Sequence, residues 1–313
     1  MQHVRDFRFG FTIGSPRSAA ELIEACRTAE AYGYDVATAV DHLGPGRLAP
    51  FQALFAAANA TERLRVGTYV VNVGFWNAAM LAREVVTAVR LTNGRLDLGL
   101  GIGLIKAEFD AAGIPFLPFE ARRAAVEAAI EEIDALIAAE GGIQRPPLLI
   151  GGTGERVLRL AAERADIVSF AGLHQIPGRP PGTFRLSTAE QTDRQVAFVR
   201  SVAGDRAGAL ELNNFVKIVE ITDDRRAAAE RLAAEDDDDY LVIDDPDEAL
   251  RTPFLLLGTE EQIAQQILDD CERYGFTAIT VQRPHMELLG PVIKRVHSLA
   301  PPPIRPLVDS WTI

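Results

Sequence analysis

Asp41 and His42 carry the plainest chemistry in this chain, because they directly follow an apolar run, YGYDVATAV, that reads as a strand. A histidine titrates near neutrality and can pass a proton to or from a bound molecule, and an adjacent carboxylate can fix its tautomer. A structural cap by Asp41 with an incidental His42 accounts for the dipeptide equally well. Gly151-Gly152-Thr153-Gly154 follows the run LLI and opens the helical pattern ERVLRLAAER. Glycines that free successive backbone N–H groups at a helix start form a phosphate cradle; a plain turn is the alternative. That spacing fits neither Gly-Lys-Ser/Thr of a Walker loop nor a GxGxxG fingerprint. Gly99, Gly101 and Gly103 close another apolar run, where missing side chains let a flat ligand approach the backbone. Glu108 lies just past them, either as a pocket carboxylate or as a solvated loop residue.

These residues need a scaffold that brings strand ends together. Strand-like and helix-like segments alternate along the chain, and continuous Val-, Ile- and Leu-rich runs are how parallel strands buried on both faces read. Strands are expected at Phe7–Ile13, Asp35–Ala39, Leu64–Val71, the run ending in Gly99–Gly103, Pro147–Ile150, Asp166–Phe170, Leu210–Ile221 and Ala278–Gln282. Helices are expected at Ala19–Tyr32, Pro50–Ala60, about 78–90, Glu120–Ala139, Glu155–Arg164, Ala189–Val202, Arg225–Ala234, Gly258–Tyr274 and Glu287–Leu299. Eight such units predict an α/β fold, a (β/α)8 TIM barrel, with catalytic groups at the carboxyl ends of its strands. No composition shift marks a boundary, so residues 1–313 are read as one domain. The Pro- and Gly-rich stretch 171–187 after the sixth strand is longer than ordinary βα loops and is expected to act as a lid.

Composition removes several functions. The formal charge is −12, from 44 acidic against 32 basic residues, and no basic stripe compensates, so nucleic acid is not an expected partner. The acidic runs 235–239 and 244–248 read as solvated surface. No apolar stretch reaches the length of a membrane span, and the first residues lack an apolar signal core, so no membrane association and a cytoplasmic location are expected. Cys26 and Cys271 form no disulfide framework and no metal spacing. No GxSxG elbow occurs, and the five histidines make no zincin pattern, so no metal is expected.

Taken in order, the segments AEAYGYDVATAVDHL, LRVGTYVVNVGFWNAAMLARE, LTNGRLDLGLGIG, PPLLIGGTGERVLRLAAERADIVSF and LLGTEEQIAQQILDDCERYGFTAITV resemble the bacterial luciferase-like monooxygenase superfamily. With FRFGF and AGIPF they look most like its actinobacterial deazaflavin-dependent branch. The resemblance implies an oxidoreductase using the 8-hydroxy-5-deazaflavin coenzyme F420, with FMN and a separate flavin reductase as the alternative. A hydride would move between C5 of the ring and a small, partly apolar organic substrate. It places Asp41 and His42 beside the ring, with His42 as acid/base. Val71, Asn72 and Val73 match the position of a non-prolyl cis peptide against the ring face. Gly101 and Gly103 fall under the ring, Gly151, Gly152, Thr153 and Gly154 cradle the phosphate, and Phe170 and Ala171 line the tail.

The chain also departs from that pattern. Val89–Arg95 lacks the Asp of LDxLSxGR, Trp76-Asn77-Ala78 replaces the usual Arg-His-Pro, and Leu104 stands where sugar-phosphate dehydrogenases carry an acid. Trp76, Leu104 and Glu108 are therefore expected to border a substrate pocket that has diverged away from sugar phosphates. The resemblance further implies a homodimer formed through outer helices. Light scattering on the purified protein should return twice the chain mass; a 34 kDa particle would reject the dimer.

Overall fold

The computed structural model describes residues 6–179, 182–234 and 241–300. Its strands are β1 (Arg8–Thr12), β2 (Val36–Ala39), β3 (Arg65–Thr68), β4 (Val71–Asn72), β5 (Leu96–Gly101), β6 (Leu148–Gly152) and β7 (Ile167–Phe170). They continue as β8 (Leu173–Gln175), β9 (Phe184–Leu186), β10 (Glu211–Phe215), β11 (Ile218–Ile221), β12 (Leu241–Val242), β13 (Leu255–Gly258) and β14 (Phe276–Val281). The helices are α1 (Ala19–Tyr32), α2 (Pro50–Ala60), α3 (Ala78–Leu91), α4 (Lys106–Ala112), α5 (Phe119–Glu140) and α6 (Glu155–Arg164). After them come α7 (Ala189–Ala203), α8 (Arg225–Ala234), α9 (Pro246–Ala249), α10 (Glu260–Tyr274) and α11 (Met286–Leu299).

The main sheet runs β3-β2-β1-β14-β10-β7-β6-β5-β4, and β3 also pairs with β5, so the sheet closes on itself. Every ladder in it is parallel. Because β3 and β4 supply successive parts of one stave, the closed barrel has eight staves with helices packed outside. The strands are buried on both faces, as β2 and β5 show throughout their lengths. The helices end where local chemistry stops them. Ser18 accepts a hydrogen bond from the Glu21 backbone N–H at the start of α1, and Gly33 closes it in a left-handed conformation at φ 95°.

Three differences from the sequence reading have clear causes. Leu210–Ile221 is not one long strand. The Val216 N–H still bonds to Thr280, but the Lys217 N–H bonds to Phe254, so the chain leaves the barrel there and β11 pairs with β13 instead. The seven-residue α4 is an extra helix, signalled only by the Lys106–Asp110 pair and the left-handed cap at Gly113. The stretch after β7 is not a bare loop: β8 and β9 pair antiparallel, and β12 joins β9 in a three-stranded sheet. The acidic run 235–239, residues 180 and 181 of the 171–187 stretch, and the Pro-rich tail 301–313 lie outside the described residues.

At the amino end of the barrel a charge cluster spans the interior. Asp97 of β5 accepts from Arg8 Nη2 of β1 at 2.6 Å and from Arg65 Nε of β3 at 2.8 Å. Arg8 Nη1 also reaches Glu211 of β10 at 2.9 Å. The Asp97 side chain is only 9% exposed, so removing it takes a sheltered carboxylate from two guanidinium groups, leaving Arg8 with Glu211 and Arg65 with the Leu96 carbonyl. Asp97→Ala should cost about 3 kcal/mol, at the low end for a buried pair because both arginines keep some solvent. Urea unfolding with an unchanged midpoint would contradict that.

Candidate active site

The parallel strands all point their carboxyl ends at one rim. His42 lies three residues past β2 and Glu108 sits on α4, after β5. Their side chains meet: His42 Nδ1 is 2.9 Å from Glu108 Oε1 and 3.2 Å from Oε2. The imidazole is 40% exposed and the carboxylate 14%, so a ligand can reach the ring while its partner stays sheltered. A carboxylate without its proton only accepts, which assigns the proton of this hydrogen bond to His42 Nδ1 and leaves Nε2 as the ring atom for exchange with a ligand.

Asp41 is not the group that orients this imidazole. Its Oδ2 accepts from the Asn72 backbone N–H at 3.1 Å and from the Trp76 indole N–H at 2.9 Å. Burial raises its pKa above the ordinary carboxylate value, although both donors favour the charged form. Asp41 therefore ties the end of β2 to β4. Trp76, expected at the substrate pocket, is committed to that tie and packs edge-on against Phe51 at 5.7 Å. Leu104 is 72% exposed next to α4.

The non-prolyl cis bond is present, but two residues earlier than the sequence indicated, between Tyr69 and Val70. Val71, Asn72 and Val73 are all buried in and just after β4. The space left by glycines in β5 is filled from within the chain rather than left open for a ring. A Cβ on Gly99 would strike the Thr68 carbonyl and one on Gly101 would strike Val70, while Gly103 abuts Asn72 and Phe109. Tyr69 itself points into a polar chain that sequence reasoning missed. Its hydroxyl lies 2.5 Å from Ser169 Oγ and donates to Asn213 Oδ1 at 2.9 Å, and Asn213 Nδ2 donates to Thr280 at 2.8 Å.

Gly151 and Gly152 end β6, and Gly154 is the extended N-cap of α6. None of the three has a left-handed backbone. A side chain on Gly151 would press on Ser169 and one on Gly152 on Val157, whereas a Cβ on Gly154 would meet nothing within 4 Å. No side chain caps the first turn of α6, where the Val157 N–H turns back to the Gly154 carbonyl and the N–H groups of Glu155 and Arg156 precede it at the end that favours an anion. Thr153 Oγ1 accepts from the Leu173 N–H at 3.1 Å. Phe170 does not line this region with its ring, which is fully buried against Phe276 at 5.3 Å. Ala171 does sit beside it, bonded through its N–H to Gly152.

Lys217 is the second residue the sequence did not reveal. It is 3% exposed, and its Nζ has no hydrogen-bond partner and lies 3.5 Å above the Phe215 ring centroid. Phe215 in turn packs on Tyr69 at 5.0 Å. Desolvation of an ammonium costs several kcal/mol, more than the roughly 2 kcal/mol a ring face returns. Burial accordingly pushes the Lys217 pKa well below the ordinary lysine value. Among the described residues no group of three or more His, Cys, Asp or Glu is placed to hold a metal, and no helix is long and apolar enough to cross a membrane.

A family model described as luciferase-like monooxygenase matches residues 4–278. A Mycobacterium avium F420-dependent glucose-6-phosphate dehydrogenase is 35% identical over 106 residues, 31% of this chain and 32% of that protein. The oxygenase component of a flavin-dependent trigonelline monooxygenase from Acinetobacter baylyi is 33% identical over 93 residues, 29% of this chain and 26% of its own. The chain thus matches about a third or less of the length of these curated relatives. The solved structure of an F420-dependent secondary alcohol dehydrogenase, in complex with an F420-acetone adduct, superposes with a TM-score of 0.70 at 15% identity. It covers 93% of this chain and 99% of that one, a likeness of fold.

The buried amine of Lys217 makes stability depend on pH. Between its lowered native pKa and the ordinary value near 10.4 (about that of the unfolded chain), the unfolded state binds a proton that the native state does not. Stability from this group therefore rises with pH across that interval. Lys217→Met should be more stable than the parent at pH 7, with the gap narrowing toward pH 10. Urea midpoints at the two pH values test this, and a gap independent of pH would refute it.

Proposed function

The chain belongs to the luciferase-like monooxygenase family, and from that premise we propose that it is a coenzyme F420-dependent oxidoreductase. It moves a hydride between C5 of the 8-hydroxy-5-deazaflavin and a small, partly apolar organic substrate, with His42 as acid/base. The observation that carries this reading is the His42–Glu108 pair at the carboxyl rim, 2.9 Å apart and open to a ligand on the histidine side. The named relative from Mycobacterium avium supports the choice of coenzyme.

When bound, the deazaflavin supplies the hydride donor or acceptor; the protein supplies orientation and the proton. Gly154 and the first turn of α6, with Gly151, Gly152 and Thr153, would hold the phosphate of the coenzyme tail, and Ala171 would flank it. That region fits the group, because a Cβ on Gly154 would meet nothing within 4 Å and no side chain caps the first turn of α6. His42 takes the substrate hydroxyl proton at Nε2, or returns it in the reverse direction. Glu108 steadies the imidazolium so formed by accepting the Nδ1–H. Asp41 holds Asn72 and Trp76 in place and stays out of the proton transfer.

The substrate is set apart from sugar phosphates by the exposed apolar rim next to the pair, where Leu43 is 41% exposed, Leu104 72% and Ile105 42%. Apolar side chains there favour a substrate whose reacting carbon carries hydrocarbon. A second reading, in which reduced FMN from a partner reductase reacts with oxygen, is favoured by the similarity to the trigonelline monooxygenase component. Titrating the protein with each reduced cofactor while following absorbance and oxygen consumption separates the two. In the coenzyme F420 reading, His42→Ala should lower turnover by roughly 10²–10⁴-fold while leaving coenzyme affinity nearly unchanged. Unaltered turnover would remove His42 from the mechanism.

A further inference from the structure

The carboxylate that meets His42 stands on a helix too short to hold itself in place. α4 has seven residues, no side-chain cap at its start, and Gly113 ending it. Isolated helices of this length are unstable in water, so packing must locate it. The packing comes from the residue next to Glu108. Phe109 is 1% exposed and enters a socket whose two walls are glycines. A Cβ on Gly74 would lie 2.6 Å from Phe109 Cε1, and one on Gly103 would lie 2.7 Å from Cζ. The ring also meets Phe75 at 5.0 Å and Phe116 at 5.1 Å. Arg122 closes the outside, its guanidinium 4.2 Å from the Phe116 ring centroid and bonded to the Gly103 and Leu117 carbonyls.

One wall of the socket is tied back to the other catalytic-rim residue. The Gly74 N–H bonds to Asn72 Oδ1 at 3.1 Å, and the Asn72 N–H bonds to Asp41. Asp41 adjoins His42 in the chain, so the contacts form a circuit: Asp41, Asn72, Gly74, Phe109, Glu108, His42. A closed circuit of close-packed and hydrogen-bonded steps leaves the Glu108 carboxylate little freedom relative to the imidazole.

We propose that Phe109 is a positioning residue, whose seat between Gly74 and Gly103 sets the hydrogen bond from His42 Nδ1 to Glu108. The inference rests on the reading of His42 as acid/base, yet its test needs no coenzyme. In ligand-free protein labelled with 15N-histidine, the ring nitrogen shifts report whether Nδ1–H is held by a carboxylate, with Glu108→Ala as the reference for its loss. Gly74→Ala is the sharpest probe: it is 34 positions from Glu108, and its backbone is not left-handed, so alanine is allowed there while its methyl displaces the ring. The His42 shifts should move toward those of Glu108→Ala. Phe109→Leu alone should move them part way, because the smaller side chain leaves α4 loose. The double variant Gly74→Ala/Phe109→Leu should return them toward the parent, since the new methyl occupies the space the ring gave up. With coenzyme and substrate, Gly74→Ala should lower kcat by about 100-fold with the coenzyme KM unchanged.

Parent-like shifts in Gly74→Ala overturn the proposal. Should Gly74→Ala not fold, parent-like shifts in Phe109→Leu overturn it just as directly. A Gly74→Ala effect that Phe109→Leu does not relieve also overturns it, because the wall would then act through some other contact. Failure of the coenzyme reading would show as absent turnover in the parent, with every one of these shifts still measurable.

Discussion

Asp97 takes hydrogen bonds from guanidinium groups on two other strands, Arg8 of β1 and Arg65 of β3, inside the amino end of the barrel. A closed parallel sheet is specified by strand number and stagger, and a bond across the interior resists sliding one stave past another. The ladders that result align Gly67 with Asp97 and Phe11 with Val281. With that stagger held, the carboxyl ends of β2, β4, β5, β6 and β10 come level. His42, Asn72, Gly103, Gly154 and Lys217 then share one rim although they are spread over more than half the chain.

The rim carries two carboxylates with separate duties, and environment divides them. Asp41 is drawn inward by a backbone N–H and an indole N–H that both bond its Oδ2, which ties the strand ends together. Glu108 reaches the same neighbourhood from outside, on a helix that an aromatic knob fastens, and its oxygens are free for the imidazole. The glycines of β5 serve the same economy of space. Their missing side chains admit Val70 and the Thr68 carbonyl, which lets the cis peptide at Tyr69–Val70 fit against the neighbouring strand.

Much of the barrel was legible before any coordinates. α1, α2 and α6 span the residues expected from the sequence; at α1 and α2 the ends are set locally, by Ser18, Gly33 and Pro50. The apolar runs became barrel staves because burial on both faces leaves no polar positions to confuse the pattern. The break at Val216–Lys217 was illegible, since NNFVKIVEI contains no glycine or proline and only the change of partner from Thr280 to Phe254 divides it. The family resemblance implied that Phe170 lines the tail region, but side-chain direction there depends on the pleat, which turned its ring toward Phe276.

The residues themselves determined that a parallel α/β barrel would form, that His42 and the Gly151–Gly154 turn would both follow strands, and so that both would lie on the carboxyl rim. Those outcomes depend on local periodicity and chain direction, which a linear string contains. Which carboxylate faces His42, where the cis bond falls, and that Lys217 is buried with no partner were decided by tertiary packing. The His42–Glu108 contact joins positions 66 residues apart across 2.9 Å, and short-range attractions of that kind acquire meaning only after the barrel has closed.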